Sequence, residues 1–347
     1  MSRRFSKRRS GNWLVSVGIA ASVAMAGAAG LVRATNTQLS EVRRDASAQD
    51  SLSPPNDAFE NYLFVGSDSR EDSDPNDPDY NNVGSAEDLG GKRSDTLMVM
   101  HYVKKTGRLS LISIPRDLWV QIGNGSKSQR INTAYQIGTD VLIRTVQGAL
   151  SIPIHHYIEI DFQGFKGLVD AVGGVTVCIE NPSRDRKTGL FMKAGCPRLD
   201  GVEALAFARS RFYESKIDGK WEIDGTSDIG RTARQRMFVT ALLRSSVQHV
   251  EENPFTVGAV LAGAVQAILV DETLSLADFG RKMRPAVRGN IGSFPLPVYG
   301  DTVNGNSVLR LAGDAKGVLE FFAGLGPRPQ AENDSTTTTE DSPQSTG

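Results

Sequence analysis

The run Leu97-Met98-Val99-Met100-His101-Tyr102-Val103, then Lys104-Lys105-Thr106-Gly107-Arg108, then Leu109-Ser110-Leu111-Ile112-Ser113-Ile114 decides the fold. Two apolar runs of strand length flank a basic turn that contains glycine, the pattern of a β-hairpin. Upstream, Tyr62-Leu63-Phe64-Val65-Gly66 is a short buried strand by its apolar run. Downstream the period changes: Ala134, Ile137, Val141, Leu142, Val146 and Leu150 recur at helical spacing between Asn132 and Leu150. Tyr157-Ile158-Glu159-Ile160 is again a strand. Phe162 to Val172 is a helix closed by Gly173-Gly174, and Val175-Thr176-Val177-Cys178-Ile179 another strand. Helix alternating with strand predicts an α/β fold, with helices over a mixed sheet that contains an antiparallel hairpin. An Ala/Val/Leu-rich helical region around residues 254–269 and a last helix from Asp314 to Leu325 complete it.

Composition bounds what surrounds this domain. The chain has 347 residues and a net charge of −1, so it can bury a sizeable core and has no global field for nucleic acid. Its strongly basic cluster is Arg3, Arg4, Lys7, Arg8 and Arg9 at the tip, too small and remote for direct DNA binding. The uncharged run from Trp13 to Val32 is long enough, at about 30 Å, to span a bilayer as a helix. The basic residues ahead of it fix the N-terminus in the cytoplasm. Ala24-Met25-Ala26 or Ala26-Gly27-Ala28 also suits signal cleavage, and Ser2-Arg3-Arg4-Phe5 has part of a twin-arginine pattern. An uncleaved signal-anchor is the preferred reading, and every version exports the remainder. The expected division is a cytoplasmic tip (1–12), a transmembrane helix (13–32), a polar stalk (33–57), one catalytic domain (58–326) and a disordered acidic tail (327–347). Two cysteines exclude a Cys-rich zinc site. Outside the cytoplasm Cys178 and Cys196 are expected to pair, Gly195-Cys196-Pro197 being a loop able to return to the Cys178 strand; two buried free thiols are the alternative.

The chemistry concentrates in arginines and aspartates. Arg209 and Arg211 lie two apart after the apolar run Ala204-Leu205-Ala206-Phe207-Ala208, and if that run enters a strand both guanidinium groups share one face. Asp228, Arg231 and Gln235 fall at i, i+3 and i+7 on one side of an amphipathic helix, while Arg234 and Arg236 point elsewhere by the same count. Guanidinium groups converging from two elements suit phosphates, which they grip with paired hydrogen bonds; a solvated basic face is the plainer alternative. Asp68 follows the first strand in Gly66-Ser67-Asp68-Ser69-Arg70, Asp95 precedes the second in Arg93-Ser94-Asp95-Thr96, and Arg116 ends the third in Ser113-Ile114-Pro115-Arg116-Asp117. In an antiparallel hairpin Asp95 and Arg116 are neighbours, and Asp68 joins them if the first strand also pairs antiparallel. Two carboxylates and an arginine at one edge can hold Mg²⁺, or Mn²⁺, against substrate phosphates; an aspartate at a strand end is otherwise turn chemistry. His155-His156 reads as structural, and no Ser-His-Asp or Cys-His pattern is evident.

These motifs, with Arg130-Ile131-Asn132-Thr133-Ala134-Tyr135, Val169-Asp170-Ala171-Val172-Gly173-Gly174-Val175, Ala208-Arg209-Ser210-Arg211, Asp228, Gly230-Arg231 and Arg234-Gln235, resemble the LytR-CpsA-Psr family of cell-envelope glycopolymer transferases. They run in family order from about residue 60 to 245. The resemblance implies an α/β/α sandwich with a central mixed sheet and a hydrophobic groove for a polyprenyl chain. It implies transfer of a glycan-1-phosphate from a polyprenyl-pyrophosphate carrier to a peptidoglycan hydroxyl, with release of polyprenyl phosphate at the membrane lipid. By motif match Asp68 and Asp95 would be magnesium ligands. Arg116, Arg209, Arg211 and Arg231, with Gln235, would hold the pyrophosphate, and Asp228 would orient the arginines. Arg130 stands where many members have lysine, which keeps the charge. A lipid pyrophosphate hydrolase and a non-catalytic membrane regulator are the rival readings.

Overall fold

The computed structural model describes residues 42–67, 94–225, 228–252, 265 and 268–330. A strand β1 (Arg43–Asp45) and a 3-10 turn (Ala46–Ser51) precede β2 (Phe59–Ser67), β3 (Ser94–Val103) and β4 (Arg108–Ile114). Next come β5 (Trp119–Gln121), β6 (Ser128–Arg130), α1 (Thr133–Ile137), α2 (Thr139–Leu150), β7 (His156–Ile160) and α3 (Phe162–Ala171). A second stretch holds β8 (Val175–Thr176), β9 (Ser183–Asp185), β10 (Leu190–Met192), β11 (Arg198–Leu199), α4 (Gly201–Arg209), β12 (Glu214–Ile217) and β13 (Lys220–Ile223). The long α5 (Asp228–Glu252) follows, then β14 (Ile268–Asp271), α6 (Leu276–Val287), β15 (Gly292–Pro295), β16 (Val298–Val303), β17 (Asn306–Leu311) and α7 (Ala315–Phe322).

The centre is a seven-stranded sheet in the order β1-β14-β7-β2-β3-β4-β15. Pairings β2–β3, β3–β4 and β14–β7 are antiparallel; β1–β14, β2–β7 and β15–β4 are parallel. The middle strands are buried at nearly every described position because helices cover both faces. Leu63, Val65, Leu97, Val99, Ile112 and Ile114 face one core with Leu142 and Val146 of α2 and Phe322 of α7. Met98, Met100, Leu109 and Leu111 face the other, with Met283 and Val287 of α6 and the half-buried Val239 and Leu243 of α5. Period-two alternation along β3 thus feeds two cores, and the three layers form the expected α/β/α sandwich around a mixed sheet.

Several local expectations change. The stalk assigned to residues 33–57 is folded from Val42 onward: β1 adds to β14, and Ala48 and Ser51 are buried. The Arg44 guanidinium donates to the carbonyls of Asp271, Glu272 and Leu274, so a polar edge strand is held by hydrogen bonds that no apolar pattern announces. The helix expected from Asn132 to Leu150 breaks at Gly138 into α1 and α2. Of the strand expected at Val175–Ile179 only Val175 and Thr176 remain, followed by an isolated bridge between Ile179 and Gly195. Of the helical region expected around residues 254–269, Ile268 and Leu269 belong to β14, and residues 253–264 lie outside the described set. The proposed transmembrane helix (13–32) and most of the tail also lie outside the described residues. Among the described residues no helix is long and apolar enough to cross a membrane.

Candidate active site

The arginine-bearing segments are set by α4, α5 and the end of β4. Asp200 accepts from the Glu203 N–H at 2.9 Å, and the Glu203 carboxylate accepts from the Asp200 N–H at 3.3 Å, a capping box that starts α4. The Ala/Leu run behind it propagates a helix, so the strand expected there does not form. Arg209 is instead the last residue of α4, and Arg211 lies two residues beyond it. The Arg209 guanidinium stands 4.6 Å from the Phe162 ring centroid, at the negative end of the α4 dipole.

The first turns of α5 are buried although they are rich in charge. Arg231 and Arg236 are 2% exposed and Arg234 7%, while Ile229 (53%) and Met237 (47%) take the solvent side. Arg234 and Arg236, expected to point elsewhere on the helix than Arg231, are interior ties. Arg234 donates through Nη2 to the Ser210 carbonyl at 2.8 Å and through Nη1 to Asp224 at 2.9 Å. Arg236 Nε donates to Ser293 Oγ of β15 at 2.9 Å. Gln235 Nε2 donates to the Ala208 carbonyl at 3.2 Å, one of the carbonyls that the end of α4 leaves without a helical partner. A long side chain with several donors can reach such carbonyls; an apolar one leaves them unpaired.

On the sheet side, Ser113 Oγ of β4 donates to the Thr232 carbonyl of α5 at 3.5 Å. These bonds set the end of β4, the end of α4 and the start of α5 side by side, and Arg116, Arg209, Arg211 and Arg231 lie on the joined segments. The β2–β3–β4 edge meets them there. Ser67 lies opposite Ser94 after a register shift at Gly66, and Leu97 opposite Ile114. Asp95, the second residue of β3, and Arg116, two residues past β4, therefore share one sheet edge. Asp68 follows directly on Ser67 but lies outside the described residues, and Asp228 is the first residue of α5.

Residues 28–320 match the LytR_cpsA_psr family. The chain belongs to this family.

Its relatives include the probable cell wall biosynthesis protein LcpB of Corynebacterium glutamicum, 35% identical over 70% of this chain and 55% of that protein. A polyisoprenyl-teichoic acid–peptidoglycan teichoic acid transferase, TagU, of Halalkalibacterium halodurans is 33% identical over 69% of this chain and 77% of its own length. The chain spans about half the length of the Corynebacterium relative. Among solved structures, a LytR-Csp2A-Psr enzyme from Actinomyces oris superposes with a TM-score of 0.62 at 23% identity, covering 81% of this chain and 96% of that one. A TagT chain bound to LI-WTA gives 0.58 at 21% identity over 82% and 98%. At these identities the structures establish the family fold.

Within this family member one functional candidate escaped the sequence reading. Asp117 lies 3.7 Å from Arg116 Nε and 3.4 Å from Arg130 Nε, and so bridges two of the expected substrate residues. Arg130 also donates to the Ser307 carbonyl of β17 at 2.8 Å, which ties it to that strand. Adjacency in Pro115-Arg116-Asp117 was the available signal, but the β5–β6 hairpin is needed to bring Arg130 back. Cys178 and Cys196 form a disulfide, beside paired backbone hydrogen bonds between Ile179 and Gly195. His155 Nδ1 accepts from the Asn61 N–H at 3.0 Å and His156 lies 3.2 Å from Asp271, so this pair is tied into the scaffold. Among the described residues no group of three or more His, Cys, Asp or Glu could hold a metal ion.

Proposed function

We propose that this chain transfers a glycopolymer from a polyprenyl-pyrophosphate carrier to peptidoglycan through a phosphodiester bond. The observation that supports the reading is the hydrogen-bonded junction of the β4 end, the α4 end and the start of α5, the segments that carry Arg116, Arg209, Arg211 and Arg231. Phosphoryl transfer asks little covalent work of a protein; positioning and neutralising charge can carry it. In the step, the acceptor hydroxyl oxygen bonds to the glycan-bearing phosphorus, the hydroxyl proton leaves, and the bridging P–O bond breaks to release polyprenyl phosphate. The four arginines hold the pyrophosphate oxygens and offset the charge that grows on the leaving phosphate. Gln235 and Arg234 set the end of α4, and Arg130 acts on Arg116 through Asp117. The name of the Halalkalibacterium relative, which this chain matches over most of that protein's length, supports this substrate class.

The reading includes Mg²⁺ held by Asp68 and Asp95. These residues adjoin Ser67 and Ser94, whose buried hydroxyls have no hydrogen-bond partner among the described residues. Two unpartnered hydroxyls, each followed in sequence by an aspartate, suit a hard, partly hydrated cation. When bound, the ion supplies charge neutralisation at the phosphates. The disulfide supports an exported domain, since such bonds persist in oxidising compartments, and the reading keeps residues 13–32 as the membrane anchor with the N-terminus in the cytoplasm. The test is reconstitution of the chain with a polyprenyl-pyrophosphate-linked glycan and peptidoglycan. A phosphodiester-linked product with free polyprenyl phosphate is expected. Release of glycan phosphate in the absence of peptidoglycan would make the chain a hydrolase, and no turnover would leave a regulator.

A further inference from the structure

The turn that carries Arg211 is gripped from two sides. On one side is Asp185, the last residue of β9, with no solvent exposure. Its Oδ2 accepts from Ser210 Oγ at 2.7 Å, from the Arg211 N–H at 3.1 Å and from the Phe212 N–H at 2.9 Å. Its Oδ1 accepts from the Lys187 N–H at 2.9 Å. Burial pushes the Asp185 pKa up, but the Ser210 hydroxyl and the backbone N–H groups of Phe212, Lys187 and Thr188 outweigh it and hold the carboxyl below its usual range. On the other side, Arg234 takes the Ser210 carbonyl, lies 4.5 Å from the Tyr213 ring centroid and is anchored by Asp224. Asp224 in turn donates its N–H to the Tyr213 carbonyl at 2.7 Å. The support beneath is also braced, because β9 lies between β10 and β12 and the Cys178–Cys196 bond closes the base of the β9–β10 excursion.

Both Asp185 oxygens are taken by donors of the protein itself, so this carboxylate holds the turn. We propose that Asp185 and Arg234 are positioning residues that fix the Ser210–Phe212 turn and thereby aim Arg211 for pyrophosphate recognition. The identity of the anion rests on the function proposed above. Neither residue touches substrate; each acts through the backbone from which Arg211 projects, and an ångström of error in such a group is costly to a preorganised site.

The test is a double-mutant cycle on the full-length chain in detergent, with inorganic pyrophosphate as the probe, calorimetry for affinity and hydrogen exchange for the turn. Asp185→Asn leaves one acceptor oxygen where two are used, and should weaken pyrophosphate binding about tenfold while speeding exchange at residues 210–213. In an Arg211→Ala background the same change should alter affinity less than about twofold, because the residue through which it acts is gone. Equal weakening in both backgrounds, or unchanged affinity and exchange in the single variant, overturns the proposal. If Asp185→Asn does not fold, Arg234→Lys asks the same question: lysine keeps the charge near Asp224 but cannot also reach the Ser210 carbonyl. It should weaken binding in the wild-type background and not in Arg211→Ala; an additive effect counts against the clamp. A wild-type chain that couples Asp185 to Arg211 yet transfers no glycan sinks the transferase reading alone. One that transfers glycan but shows an additive cycle sinks the clamp alone, and one that binds no pyrophosphate sinks both.

Discussion

Burial sorts the arginines into two groups with different expected phenotypes. Arg209 and Arg211 are half-buried at the end of α4, so Arg→Ala there should lower transfer roughly ten- to a thousandfold with little change in melting temperature. Arg→Lys should rescue only partly, since a point charge cannot reproduce the guanidinium fork. Arg234→Ala and Arg236→Ala should instead cost stability, about 2–4 kcal/mol each, because they strip donors from Asp224, the Ser210 carbonyl and Ser293 in the interior. Arg231→Ala should do both, as its guanidinium is buried within the same helix. Transfer assays run beside melting curves separate the groups; a uniform profile across the five would refute the division. Two buried histidines make the fold sensitive to acid. Burial, and then the nearby His155, lower the His101 pKa from 6.5 to about 4; burial, and then His156, lower that of His155 to about 4 as well. A histidine whose folded pKa is depressed contributes its stability above the unfolded value and loses it as pH falls through the folded one. His101 alone should therefore withdraw about 3 kcal/mol as pH drops from 6.5 to 4. Melting curves between those pH values should show the loss in the wild type and a shallower one in His101→Asn; parallel slopes would remove His101 as the cause.

Among the elements, α4 and the β9–β10 excursion, which carries Asp185, are the ones a periodic pattern reveals least. The disulfide closes that excursion over a separation of 18 residues, and a bond spanning such a loop contributes about 3 kcal/mol by the chain-entropy argument. Replacing both cysteines with serine should lower stability by about that amount, and thiol labelling of the unreduced, denatured chain should find no free thiol. Two labelled thiols would remove the bond and, with it, the support for an oxidising compartment. Because the excursion also carries Asp185, the cysteine variant should lose transfer before it loses its fold. Retention of full turnover at temperatures well below its melting point would detach the disulfide from the site.

For the whole molecule, the expected cation gives the broadest check. Chelator should abolish transfer, and Mg²⁺ or Mn²⁺, both hard and content with oxygen ligands, should restore it. Asp95→Asn should keep the melting temperature and lose the metal-dependent turnover; unchanged turnover would move the ion elsewhere. What the sequence by itself determined is the central architecture. The hairpin β3–β4, the strands β2 and β7, the helix α3 and the antiparallel meeting of the Asp95 and Arg116 positions were all legible, because a strand covered on both faces must be apolar along its own length. The disulfide was legible from count and compartment. Only the tertiary structure decided the rest. Ala204–Ala208 is too short to show a period, so helix and strand could not be told apart until the Asp200–Glu203 cap was seen to start α4. The 3.6-residue count set Arg234 and Arg236 off the Arg231 face but could not tell that strands and α4 would cover those sides as well. Polar partners come from far along the chain, as Ser210 does for Arg234 at 24 residues and Asp185 for Arg211 at 26. Local periodicity records which face is apolar; which buried polar group finds which donor is set only when distant segments pack together.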